Sequence, residues 1–255
     1  MGIINDYMNF STVTWRSCEK FQEVGTMRIM LILTGILFLV FRSAFPQEEA
    51  KLNNKQNEKT NTEVKLPEPD TKGAVPLETC IEKRRSRRSF TEKDLSLKEV
   101  SQLLWAAQGI TDETREFRAS PSAGALYPLE LYVVKSDGAY HYFPENHSLK
   151  RVSQKDLRPL LRRAALGQGW VEDAPVDIVI CAVYDRVTGK YGERGVRYTH
   201  LEAGHAAQNI LLQSVSLELG STPVGAFRDA EVSRILDLPE DQEPLYIIPV
   251  GEPKK

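Results

Sequence analysis

The segment from Arg84 to Phe90 reads RRSRRSF, four arginines and two serines within seven residues. Guanidinium groups make forked, charge-assisted hydrogen bonds to phosphate oxygens, and hydroxyls fill the gaps between them. A solvated basic loop is the commoner fate of such a cluster. The apolar anchor Phe90 directly after it favours an anion site inside a folded domain. A second segment, PSAGALYP from Pro121 to Pro128, combines small side chains, a glycine and two prolines. Its backbone can come close to a flat ligand. A third, Lys190-Tyr191, sets an amine beside a phenol between Gly189 and Gly192. A lysine acts as a base where burial lowers its pKa, and a tyrosine holds a proton by hydrogen bonding. The plain alternative is an exposed loop. A fourth segment, GSTPVGAF from Gly220 to Phe227, is another turn of small residues.

Other chemistries find less support. Cys18, Cys80 and Cys181 are far apart and suggest neither a disulfide framework nor a zinc site. His200 and His205 lie five residues apart, about 140° around a helix, so they do not share a metal. No metal site is expected. Ser122 and Ser221 have no histidine and acid nearby in sequence to make a hydrolase triad. No Gly-x-Gly-x-x-Gly follows a strand, which argues against a permanently bound dinucleotide. A net charge of −2 over 255 residues argues against nucleic acid as partner.

The elements that must position these groups read as α+β. Pro76 opens a short helix over Leu77–Lys83. Ser96 and Glu99 form a capping box for a helix ending at Gly109. Thr111 to Arg118 reads as a charged loop. Leu129–Val134 reads as a buried strand, paired across Ser136–Gly138 with Ala139–Phe143. Asp156–Leu166 reads as a helix with Pro159 in its first turn. Val176–Tyr184 is a near-continuous apolar run and so a central strand covered on both faces. Tyr198–Leu219 is the longest helix, with small residues on several sides, central in the monomer or at a dimer interface. Asp229–Leu236 and Leu245–Val250 supply a last helix and strand.

The N-terminal 45 residues read as an extension. Ile29 to Phe41 is apolar, about 20 Å long as a helix and short of the roughly 30 Å of a bilayer core. With Arg28 before it and Ser43-Ala44 after, it has the layout of an export signal, with an uncleaved anchor or a buried helix as alternatives. Met27 would be an ordinary start for such a signal. Residues 46–75 are polar and read as a disordered linker. The folded domain is expected over 76–255.

RRSxRxF at Arg84–Phe90, PSAGxxxP at Pro121–Pro128, PVGAF at Pro223–Phe227 and the terminal GxPK at Gly251–Lys254 come in the order seen in flavin-dependent nitroreductases, which residues 77–255 resemble. Lys190-Tyr-Gly-Glu-Arg-Gly195 and the stretch from Arg197 to Asn209 look like the SagB-type, thiazole/oxazole-forming dehydrogenase branch. The resemblance implies a central mixed sheet flanked by helices, made as an intertwined homodimer with FMN at the interface. It implies that Arg84, Arg85, Ser86, Arg88 and Lys254 contact the FMN phosphate and ribityl chain. Pro121, Ser122, Ala123 and Gly124 would meet the isoalloxazine ring from the second subunit, and Gly225 and Ala226 would face N5 and O4. Lys190 and Tyr191 would support proton removal beside the flavin. The implied activity is ping-pong hydride transfer on a small-molecule or peptide substrate, with NAD(P)H as a transient donor. A non-catalytic flavin-fold binding protein is the alternative. Export would separate the enzyme from cytosolic pyridine nucleotides, so a quinol, a partner protein or an oxidase cycle would then replace them.

Overall fold

The computed structural model describes residues 63–254. The expected export signal or anchor, and the linker as far as residue 62, lie outside the described residues. Seven strands form one sheet in the order β1 (Glu63–Lys65), β6 (Ser148–Ser153), β5 (Gly138–Phe143), β4 (Leu129–Lys135), β7 (Val176–Ala182), β9 (Glu243–Gly251) and β8 (Gly220–Ser221). The remaining strands, β2 (Ile110–Asp112) and β3 (Phe117–Arg118), form a hairpin apart from it. The helices are α1 (Leu77–Lys83), α2 (Leu97–Gln108), α3 (Arg158–Ala164), α4 (Trp170–Asp173), α5 (Asp185–Tyr191), α6 (Arg194–Ser216) and α7 (Asp229–Leu236).

Three expectations are corrected. The sheet is antiparallel at every strand pairing rather than mixed. Short turns join β4, β5 and β6, and such turns can only link antiparallel strands. The one parallel contact among the described residues is the isolated bridge between Ser86 and Ser221. Second, order begins before residue 76. Glu63–Lys65 pairs with β6, and Leu66 is buried in the core. Thr111–Arg118, read as a loop, folds back as the β2–β3 hairpin.

The apolar run of β7 is buried at every residue because both sheet faces are covered. Val176, Ile178 and Ile180 join Leu129, Leu131 and Val133 of β4 on one face, against α2 and α6. Val179 and Cys181 join Tyr132 and Val134 on the other, against α3, α4 and α7. The small residues Ala203, Ala206 and Ala207 of α6 lie in the first core, which places that helix centrally in the monomer. Ser96 accepts from the Glu99 N–H while the Glu99 carboxylate accepts from the Ser96 N–H, so the capping box starts α2 as read.

Candidate functional site

The arginine segment is tied to the end of the domain. Arg87 N–H donates to Ser221 O at 3.0 Å, Thr91 N–H to Glu252 O at 2.8 Å, and Lys254 N–H to Ser89 O at 3.0 Å. Phe90 bridges to Pro253. A Cβ on Gly220 would sit 2.7 Å from Arg87 Cβ, so only glycine admits this approach. The ladder brings Arg84, Ser86, Arg88 and Lys254 into one region built from both ends of the domain. Among the described residues, Arg84, Arg85, Arg87 and Arg88 form no salt bridge with a carboxylate. A group of unneutralised guanidiniums fits a phosphate. Arg85 has backbone partners in the single chain. Its Nη1 donates to Glu82 O and Arg84 O, both at 2.8 Å, and so serves the last carbonyls of α1. Arg88 lies over the Trp170 ring, 5.4 Å from its centroid.

Trp170 leads to the Gly225–Ala226 turn, because Gln168 Nε2 donates to Ala226 O at 2.9 Å. Val224 bridges Ile247 at the sheet, and the two residues after it project outward, exposed. The N–H groups of Gly225 and Ala226 find no acceptor among the described residues. Free, fixed backbone donors suit the polar edge of a flavin ring.

The Pro121–Pro128 turn is built elsewhere on the molecule. Ser122 is extended, a single 3-10 turn covers Ala123–Ala125, and Gly124, Ala125 and Tyr127 all have positive φ. Two non-glycine residues in that region store strain, which their surroundings must hold. Ser122 Oγ accepts from Tyr127 N–H at 2.9 Å. The Tyr127 hydroxyl accepts from Arg118 N–H at 3.2 Å, and the Arg118 guanidinium covers its ring at 4.6 Å. Arg186 on α5 donates to Tyr127 O at 2.9 Å and pairs with Glu130. Burial opposes ionisation of Glu130, but the His141 hydrogen bond at 2.6 Å and the Arg186 charge outweigh it, so its pKa lies below the usual value. Arg186 therefore locks α5 against the turn.

That lock carries Lys190 and Tyr191 to Gly124. A Cβ on Gly124 would fall 2.8 Å from Tyr191 Oη and 2.9 Å from Lys190 Nζ. Lys190 Nζ lies 5.3 Å from the Tyr191 ring centroid, and Tyr191 stands edge-on to Tyr198 at 5.3 Å. The plain reading of an exposed loop fails in part. The pair ends a helix and meets the turn, although Lys190 is exposed in the single chain. Burial of its amine would have to come from a ligand or a second copy.

Helix α6 underlies both regions. Near one end Ser214 Oγ contacts Ser221 Oγ at 2.6 Å, beside the arginine segment. Twelve residues earlier, about 18 Å along the axis, Glu202 lies under the turn. No hydrogen bond, ion pair or ring contact joins the two regions directly among the described residues. Asn209 Nδ2 donates to Ala106 O at 2.9 Å and Ser120 Oγ at 3.2 Å, pinning the start of the turn to α2. Glu202 is 2% exposed, and burial pushes its carboxyl up to about 7, against the opposing pull of Ser122, Gln108 and Arg118. Sequence reasoning missed Glu202, Gln108, Arg118 and Arg186. For Glu202 a signal existed: a carboxylate on the buried α6 stripe of Thr199, Ala203, Ala206 and Ile210.

Arginines without carboxylate partners, unpaired backbone donors and a Lys–Tyr pair over a glycine turn, on one sheet flanked by helices, fit an oxidoreductase scaffold. Residues 81–252 match the model described as Nitroreductase family, and the chain belongs to that family of flavin oxidoreductases. It is similar to a protein of Methanocaldococcus jannaschii assigned to the nitroreductases, with 45% identity over 195 residues covering 74% of this chain and 96% of that one. It is 26% identical over 162 residues to the microcin B17-processing protein of Escherichia coli, covering 59% of this chain and 60% of that one. The chain thus spans only three-fifths of that relative's length. A crystal structure from Ralstonia eutropha, titled as a nitroreductase, superposes with a TM-score of 0.70 at 31% identity, over 76% of this chain and 91% of that one.

Proposed function

We propose that this protein is an FMN-dependent oxidoreductase of the SagB-type dehydrogenase branch, working by ping-pong hydride transfer as a homodimer. The observation that carries this reading is the convergence of Lys190 Nζ and Tyr191 Oη on the side-chain-free face of Gly124. FMN, when bound, supplies a two-electron acceptor at N5. Arg84, Ser86, Arg88 and Lys254 would hold its phosphate end. The N–H groups of Gly225 and Ala226 would orient the ring edge, and the Pro121–Gly124 turn would meet the ring face. The Lys190 amine would take the substrate proton, and the Tyr191 hydroxyl beside it would hold a proton by hydrogen bonding. The two halves of the site lie on well-separated parts of α6, which supports a ring received from a second copy. Similarity to a microcin-processing protein supports a peptide substrate, and the likeness to thiazole/oxazole-forming dehydrogenases supports a heterocycle within it. The apolar run at Ile29–Phe41 supports export, with electrons leaving to oxygen or quinone and NAD(P)H a poor donor.

The test is the absorption spectrum of the purified full-length chain with anaerobic reduction and reoxidation, repeated for Lys190→Ala and Tyr191→Phe. A yellow protein that bleaches and recovers, with turnover falling in both variants at unchanged FMN content, is expected. A colourless protein that takes up no FMN would sink the reading. Variants with wild-type turnover would sink the roles of the pair.

A further inference from the structure

We propose that Glu202 is a positioning residue whose proton sets the conformation of the Ser120–Tyr127 turn, acting through Ser122 from beneath. The inference rests on the reading of that turn as the ring-receiving face.

The groups around the carboxyl are donors. From α2 comes Gln108, whose Oε1 already accepts from Arg118 at 3.3 Å and whose buried Nε2 has no acceptor. From the turn comes Ser122, whose Oγ accepts from Tyr127 N–H and whose own proton is given to no other described group. From β3 comes Arg118, which is paired with Glu145 at 2.9 Å and acts on Glu202 by charge. On α6 itself, the buried hydroxyl of Thr199 donates back to Gly195 O. Among the described residues the carboxyl oxygens have no partner in hydrogen-bonding geometry, although Ser122 and Gln108 stand close enough to favour the ionised form. The contacts are near, and not closed.

The consequence is a difference between two states of the turn. Ionised Glu202 accepts only, so it draws in the Ser122 hydroxyl and the Gln108 amide, closing both contacts. Protonated Glu202 carries a donor of its own and loses the charge-assisted bond to Ser122. Ser122 holds Tyr127, and Tyr127 has a positive φ, so movement at Ser122 passes directly to the strained end of the turn. Burial places the changeover near neutral pH, at about 7.

The experiment follows the carboxyl carbons of labelled glutamates and the Tyr127 amide by NMR on both sides of that midpoint, in the full-length chain without cofactor. FMN dissociation constants are measured over the same range. In the wild type one glutamate should titrate near pH 7 and the Tyr127 amide should shift with the same midpoint. FMN should bind about fivefold more tightly above it, the ordinary gain of a charge-assisted over a neutral hydrogen bond. Glu202→Gln should remove that titration and flatten both profiles. Ser122→Ala deletes a donor that lowers the carboxyl's pKa, so it should move the glutamate midpoint upward and uncouple the Tyr127 amide. If Glu202→Gln does not fold, the wild type and Ser122→Ala alone still decide. A Tyr127 amide that ignores the glutamate titration, or an FMN profile unaltered by Glu202→Gln, overturns the proposal. Failure to bind FMN at any pH, with the coupled titration intact, overturns the cofactor reading and supports the latch.

Discussion

Gly124→Ala tests the convergence at the heart of the site. The residue has φ +65°, ψ 19°, a conformation that costs an L-residue with a Cβ about 1–2 kcal/mol. The new methyl would also lie 2.8 Å from Tyr191 Oη and 2.9 Å from Lys190 Nζ. Both atoms are the ends of flexible side chains, so they swing away and add little to the stability cost. With a urea dependence of about 2–3 kcal/mol per molar, the unfolding midpoint should fall by about 0.5 M. Catalysis should suffer more, because displacing a catalytic group by about 1 Å costs on the order of a hundredfold. The assay is a cycle of Gly124→Ala, Lys190→Ala and the double variant, each measured for urea midpoint and turnover. In the Lys190→Ala background the stability loss should persist while most of the turnover loss disappears. Wild-type turnover in Gly124→Ala, or an equal fold loss in both backgrounds, would refute the argument that this glycine exists to admit the pair.

Arg84→Ala and Arg88→Ala should each weaken FMN binding by about 1.5–3 kcal/mol, the worth of a charge-assisted bond, whereas Arg85→Ala should cost less because its Nη1 serves α1. Unchanged FMN retention in both of the first two variants would remove the phosphate assignment. Dilution should lower FMN content together with the dimer fraction in light scattering, and a monomer that keeps its FMN would contradict a shared site. Asp177 is fully buried, both its oxygens are unpartnered among the described residues, and burial raises its pKa well above the ordinary 3.8. Its folded form therefore holds a proton that the unfolded chain releases, and stability falls as pH rises above about 3.8. Glu202 adds a second such slope between 4.5 and about 7. Asp177→Asn should be more stable than wild type at neutral pH, with the gap narrowing toward acid. A lower melting temperature for the variant at neutral pH would show that the carboxylate has a partner it needs.

What was legible in the sequence was what local chemistry decides. The Ser96–Glu99 box, the apolar run of β7 and the proline-opened α1 each follow from a few adjacent residues, and the structure has them. Strand β6, which no alternation announces, has only Leu149 and Val152 as apolar residues and exists because β5 and β1 pair with it. Strand β1 pairs across more than eighty residues of sequence, a contact that no local window contains. Helix α5 holds Thr188 and Gly189, both poor helix formers, and buries only Val187. Tertiary ties from Arg186 to Tyr127 and Glu130 hold it in place. The same limit governs the site. Residue types marked the arginine segment and the two small-residue turns, but the meeting of α5 with the first turn depends on a lock between Arg186 and a backbone carbonyl. The carboxylate under Ser122 was visible only as a misplaced charge on an apolar stripe.

The ladder that joins Ser89, Phe90 and Thr91 to Glu252, Pro253 and Lys254 has a bearing on how the protein is made. The arginines leave the ribosome more than 160 residues before the segment that fixes them. Strand β9, between β7 and β8, is the last strand of the sheet to be translated. Until it inserts, β8 has no strand of the sheet beside it, only the bridge to Ser86, and the anion clamp has no far wall. If the clamp holds FMN as proposed, a nascent chain stalled before residue 243 should form its β4, β5 and β6 hairpins without acquiring colour. An affinity tag placed after Lys255 would crowd the clamp.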